Sequence, residues 1–218
     1  MWRTPGKTWR VAEDSPTDVL IALYLRDAAG LLPAGTPLLP PIEPPIAPTF
    51  VPHSSFALNA ARDPRPSPEP GPQERVDALR REWEAWWQRL VRPPSYPKLW
   101  DLEPPGFDAF AGSPELQQLL KERFRDARRW AGARHEEFGD AAVERIHRGD
   151  HDVNAVVVAR ERELGRRAEP FHLDVLVLPV ADRDIWIIGP SSIVVSTRLR
   201  NDSAGFREAM TPLVHALA

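Results

Sequence analysis

Three histidines, His135, His147 and His151, fall within 17 residues of one another, among Glu136, Glu137, Glu144, Asp150 and Asp152. Imidazole and carboxylate together make the ligand set of many divalent-metal sites. Glu144 and His147 are spaced i, i+3, which puts both on one helical face, as in a di-iron bundle. That site needs the motif twice, and it occurs once. The zinc-protease pattern H-E-x-x-H is not met, because Gly139 stands where the second histidine belongs. His147 and His151 are spaced i, i+4, yet Gly149 between them weakens the helix that would align them. His135, Glu144, His147 and His151 are therefore the candidate metal ligands. The competing reading is a solvated polar helix end.

A second constellation is His172 with Asp174. On a strand the two side chains share a face, where they could form a general acid–base pair. Asp174 could also serve a metal nuclease with Asp184 on a neighbouring strand. Such sites place a lysine nearby, and the lysines, Lys7, Lys98 and Lys121, are elsewhere. The alternative is two polar groups on the open face of a half-buried sheet.

A third is basic. Arg123, Arg125, Arg128, Arg129 and Arg134, with Lys121, outnumber Glu122 and Asp126, and Trp130 lies among them. Such a stripe could meet phosphates. The alternative is a solvated helix face with intrahelical pairs. A formal net charge of −3 argues against a broadly basic nucleic-acid surface. No phosphate loop, nucleophile elbow or dinucleotide fingerprint occurs. The absence of cysteine excludes thiol catalysis, cysteine zinc sites and disulfide scaffolds. No cofactor is expected.

The elements that must position these groups follow from periodicity and punctuation. Residues 15–30 read as a helix, with Ser15 as cap, Pro16 in the first turn and Gly30 as stop. Its run Val19–Leu25 is too short to span a membrane. About half of the 25 prolines lie between Pro33 and Pro72. This stretch admits neither helix nor interior strand. Its first half repeats P-x-x-P and carries Leu38, Leu39, Ile42, Ile46 and Phe50, which suits an extended strap laid on a surface. Its second half reads as a stiff solvated spacer. Residues 73–91 form an amphipathic helix with Trp83, Trp86 and Trp87 on its apolar face, either core or interface. Helices are expected over 114–132, capped by Ser113, over 133–148, and over 152–167, where Val156-Val157-Val158 competes for a strand. Strands follow at 171–180, 185–188 and 192–198, joined by short turns that suggest an antiparallel meander. A last helix starts after Asn201-Asp202-Ser203, and Pro212 should kink or split it.

These elements predict an α+β fold in which a helical bundle packs on one face of a small three-stranded antiparallel sheet. The division expected is 1–32, a helical segment; 33–72, the proline-rich strap and linker; and 73–218, the α+β domain. Arginine replaces lysine almost throughout, a bias that fits a GC-rich bacterial source. No targeting signal or lipidation box is apparent, which predicts a cytoplasmic protein without membrane insertion. The strap, the tryptophan helix and the lack of a catalytic constellation predict a non-catalytic interaction or assembly subunit. It would bind a protein partner, or its own copy, through Leu38, Leu39, Ile42, Ile46, Phe50, Trp83, Trp86 and Trp87. The alternatives are a metal-dependent enzyme and a nucleic-acid accessory protein.

Overall fold

The computed structural model describes residues 9–48, 71–91 and 102–218. Its elements run β1 (Arg10–Asp14), α1 (Thr17–Ala28), α2 (Pro72–Val91), α3 (Pro114–His147), α4 (Asp152–Leu164), β2 (His172–Leu178), β3 (Ile185–Gly189), β4 (Ser192–Ser196), α5 (Thr197–Arg200) and α6 (Ser203–Leu217). The class is α+β, as the sequence predicts.

The sheet departs from the expected meander. Among the described residues it has four strands in the order β1-β2-β4-β3. β1 runs parallel to β2, with Arg10 opposite His172. β2 runs parallel to β4, with Val175 opposite Ile193. β3 and β4 form the expected antiparallel hairpin, yet β4 sits between β2 and β3. The physical reason lies in Leu176-Val177-Leu178 and Ile193-Val194-Val195. Unbroken apolar runs belong on strands covered on both faces, which is the setting of parallel pairs. β4 is buried along its whole length. β3 carries Ile187, which is 65% exposed, and takes the edge.

The helices accordingly cover both faces, not one. On one face α1, α2, α3 and the strap enclose Leu20, Trp83 and Leu119 against Leu176, Leu178 and Val194. On the other, α4 and α6 pack Val157, Phe206 and Met210 against Val175, Val177 and Val195.

Two helices expected over 114–148 are one. α3 runs through Gly132 and Gly139 for 34 residues. A mid-helix glycine costs about 1 kcal/mol. The apolar stripe holds the helix on both sides, from Leu116, Leu119 and Ala127 to Phe138. Ser113 makes no side-chain cap bond. Glu82 of α2 does that work, its Oε2 accepting from the Leu116 N–H at 2.8 Å. At α1 the cap position is Pro16, not Ser15. The contested segment is helix, closed by Gly165 at φ +66°, a conformation that glycine adopts without a Cβ clash. Pro212 does not split α6.

The strap is docked on its own chain up to Pro48. Arg26, fully buried, donates to Leu39 O at 3.0 Å and Pro40 O at 2.7 Å, and pairs with Asp27 at 2.6 Å. The second Asp27 oxygen accepts from Ile42 N–H at 2.7 Å. Glu43 N–H reaches Pro179 O at 2.7 Å, and Ala181 N–H reaches Pro41 O at 2.9 Å, so the strap pairs briefly with the chain leaving β2. Arg80 of α2 holds the Leu31 and Pro33 carbonyls. These donors compensate for the N–H groups that proline lacks. Gly35, at φ +95°, lies where a Cβ would come within 3.2 Å of the Trp83 ring.

Candidate functional site: a crevice at the strand ends

Parallel pairing aligns the carboxyl ends of β1, β2 and β4, with Asp14 opposite Leu176 and Leu178 opposite Ser196. In sheets of this kind, ligands bind just beyond those ends. Here the chain leaves each strand through Ser15, through Pro179-Val180 and through Thr197-Arg198. The second half of α3 crosses the same edge with Arg134, Phe138 and Arg145. Glu43 and Pro44 of the strap close one side. A crevice of about 370 Å³ lies between these walls.

His135 fixes the crossing helix. Its Nδ1 lies 2.8 Å from Ser15 O, and a carbonyl only accepts, so Nδ1 carries the proton.

Arg145 is the buried charge of the crevice, 5% exposed. Its Nη1 donates to Asn201 Oδ1 at 3.2 Å, and Nη2 stands 3.8 Å from Glu13 Oε2. That Glu13 oxygen is engaged more closely by Arg200 Nε, at 2.7 Å. Arg200 also meets Asp152 Oδ2 at 3.1 Å, and Arg207 meets Asp152 Oδ1 at 2.9 Å. Three guanidiniums thus share two carboxylates. Desolvation by burial, and then the neighbouring Arg200, lower the Arg145 pKa, against the opposing pull of Glu13 and Asp152. At the rim, Arg198 pairs with Glu43 and Arg134 with Glu137. The Nε of Arg134 is buried and meets no hydrogen-bond acceptor among the described residues.

The residues singled out in the sequence are distributed otherwise. Among the described residues, no group of three or more His, Asp or Glu side chains is placed to hold a metal ion. His135 is bonded to Ser15 O, Glu144 pairs with Arg148 at 3.3 Å, and His147 and His151 are exposed on either side of the turn at Gly149. His172 and Asp174 do share a face, Nε2 to Oδ1 at 2.8 Å, at the edge opposite the crevice. Asp184 is no neighbour of Asp174, because β4 separates β2 from β3. Arg125, Arg128 and Arg129 line a shallow open surface with Gly132, Ala133 and Glu136. Arg123 is half-buried, and Arg134 turns to the crevice.

Of the residues expected to meet a partner, Trp83, Trp86 and Trp87 are buried in this chain's own core. Trp83 stacks on Trp87 at 5.4 Å and donates its indole N–H to Ala22 O at 2.8 Å, so that surface is already spent on α1 and the strap. Leu39 and Ile42 are buried, Ile46 is partly so, and Leu38 is 63% exposed. Phe50 lies outside the described residues.

The crevice residues Arg145, Arg198 and Asn201 went unread in the sequence. One signal was there. Arg145 follows Phe138 and Ala141 at steps of three and four, so it occupies the inward stripe of its helix.

Comparison with known proteins returned no matching family model, no matching curated protein and no matching solved structure. No helix among the described residues is long and apolar enough to cross a membrane.

Proposed function

We propose that the chain is a non-catalytic interaction subunit that presents a preorganised surface to a protein partner. The observation that carries this reading is the strap. Buried Arg26 and Asp27 fix its backbone, Leu39 and Ile42 turn inward, and Leu38 is held outward at 63% exposure. A segment fixed before binding loses little entropy on docking. In this reading Leu38 is the contact residue, and Trp83 and Trp87, packed against the strap at Gly35, hold that segment in place.

The test is Leu38→Asp. An exposed position tolerates the charge, so the melting curve should stay within about 0.5 kcal/mol of the parent. Native mass spectrometry of the tagged protein purified from its host should show a stoichiometric partner with the parent and at least tenfold less of it with the variant. Undiminished capture by Leu38→Asp, or a parent that comes out bare, overturns the proposal.

A further inference from the structure

We propose that the crevice at the carboxyl ends of β1, β2 and β4 binds a small organic acid, one carboxylate carried on a short apolar body. Charge is the first argument. Arg134, Arg145 and Arg198 line the crevice against Glu43 and Glu137, three guanidiniums to two carboxylates. Behind them the pairing of Glu13 and Asp152 with Arg145, Arg200 and Arg207 is short by one negative charge as well, and Arg145 is common to both sets. Arg207 is half in solvent, which satisfies it. Arg145 is not, and its nearest carboxylate oxygen belongs more closely to Arg200. One monoanion in the crevice restores the balance where the deficit is least solvated. A dianion would exceed the deficit and would face Glu43 and Glu137.

Geometry is the second argument. A guanidinium presents a planar fork that a carboxylate meets with two parallel hydrogen bonds. Asn201 Oδ1 takes one Nη1 hydrogen of Arg145 at 3.2 Å and so anchors one arm of that fork. The cation of Arg145 also lies 6.0 Å from the Phe138 ring, which leans against it from the same helix.

The walls are the third. Phe138, Ala141, Val177, Val180, Pro44 and Pro179 surround the polar end with apolar surface. A volume of about 370 Å³ is at the small end of ligand sites, so the apolar body is short. This site is independent of the strap surface at Leu38, which does not line it.

The test is a titration of the full chain followed by amide chemical shifts, with sodium hexanoate and sodium benzoate as probes. Hexanamide serves as the neutral comparison, and inorganic phosphate, held at a pH above its second pKa, as the dianionic one. Hexanoate or benzoate should shift the amides of Ala141, Val180, Thr197 and Asn201 in a saturable way, with hexanamide and phosphate weaker by about tenfold or more. Arg145→Met should abolish the response. Should that variant fail to fold, Ala141→Leu puts bulk into the crevice from a half-buried position on its wall and should also abolish it, with cooperative melting retained. Leu38→Asp should titrate like the parent, so this site and the partner surface fail separately. No saturable shift with either acid up to about 20 mM, hexanamide binding as well as hexanoate, or phosphate binding as well as hexanoate overturns the proposal. So does an unchanged response in Ala141→Leu.

Discussion

Single side chains in this protein often serve an element other than their own. Glu82 belongs to α2 and caps α3 through the Leu116 N–H. Burial raises its carboxyl pKa, and the Glu115 charge adds to this, while the hydrogen bond from Leu116 works against it. The sign of the pH effect follows. The folded chain holds the Glu82 proton to higher pH than the unfolded chain does. Between the two pKa values the contribution of Glu82 to stability falls as pH rises, and above the folded value the cost is complete. Glu82→Gln keeps an oxygen for the Leu116 N–H and removes the charge. Urea midpoints should therefore favour the variant more at about pH 7 than at about pH 4. A difference independent of pH would show that desolvation of Glu82 does not matter. The same economy rules the Asp152 cluster, where one buried carboxylate ties α4 to α5 and α6 through Arg200 and Arg207. The Arg200 guanidinium lies 4.4 Å over the Phe206 ring, so the cluster is packed as well as paired.

At the scale of elements, the strap is held by directed polar contacts as well as by Leu39 and Ile42 in the core. Its carbonyls at Leu39 and Pro40 depend on Arg26, and its Ile42 N–H depends on Asp27. Arg26→Met preserves side-chain bulk but leaves two carbonyls and a buried carboxylate without their partner. The expected loss is about 3–5 kcal/mol, the range for breaking a buried ion pair. It should be local before it is global. Amide exchange at Ile42 and Glu43 should accelerate far more than at Val175 or Val194 in the central strands. Equal acceleration throughout would mean that the strap and the sheet open as one unit. α3 is the opposite case. One end packs on α1 and the other crosses the strand ends, so a single helix joins the core of one sheet face to the crevice.

For the molecule as a whole, α1 is the decisive element. Leu20, Ile21, Leu23 and Leu25 are fully buried, and they share a core with α2, α3 and the strap. β1 adds the strand next to β2, and Glu13 at its end enters the arginine cluster. Residues 73–218 alone lack both. That fragment should not show the sharp near-ultraviolet spectrum and cooperative melting of the full chain. A synthetic peptide of residues 9–48 added in excess should restore them. A fragment that melts cooperatively by itself would show that the sheet and α4–α6 form a separate folding unit.

The sequence alone determined the α+β class, α1, α2, α4 and α6, the strand β2 and the β3–β4 hairpin, because each is written in local periodicity and turn chemistry. It also marked His172 and Asp174 as sharing a face, since alternation along a strand is local. Tertiary structure decided the rest. β1 is short and half polar, and it is a strand because β2 offers it a partner. β4 lies beside β2, not only β3, because two strands with continuous apolar runs need cover on both faces. Gly132 does not end α3 because packing on each side outweighs its propensity. The crevice was hidden for the same reason. Arg134, Arg145, Arg198 and Asn201 come from separate segments, and only the parallel alignment of β1, β2 and β4 brings those segments to one edge.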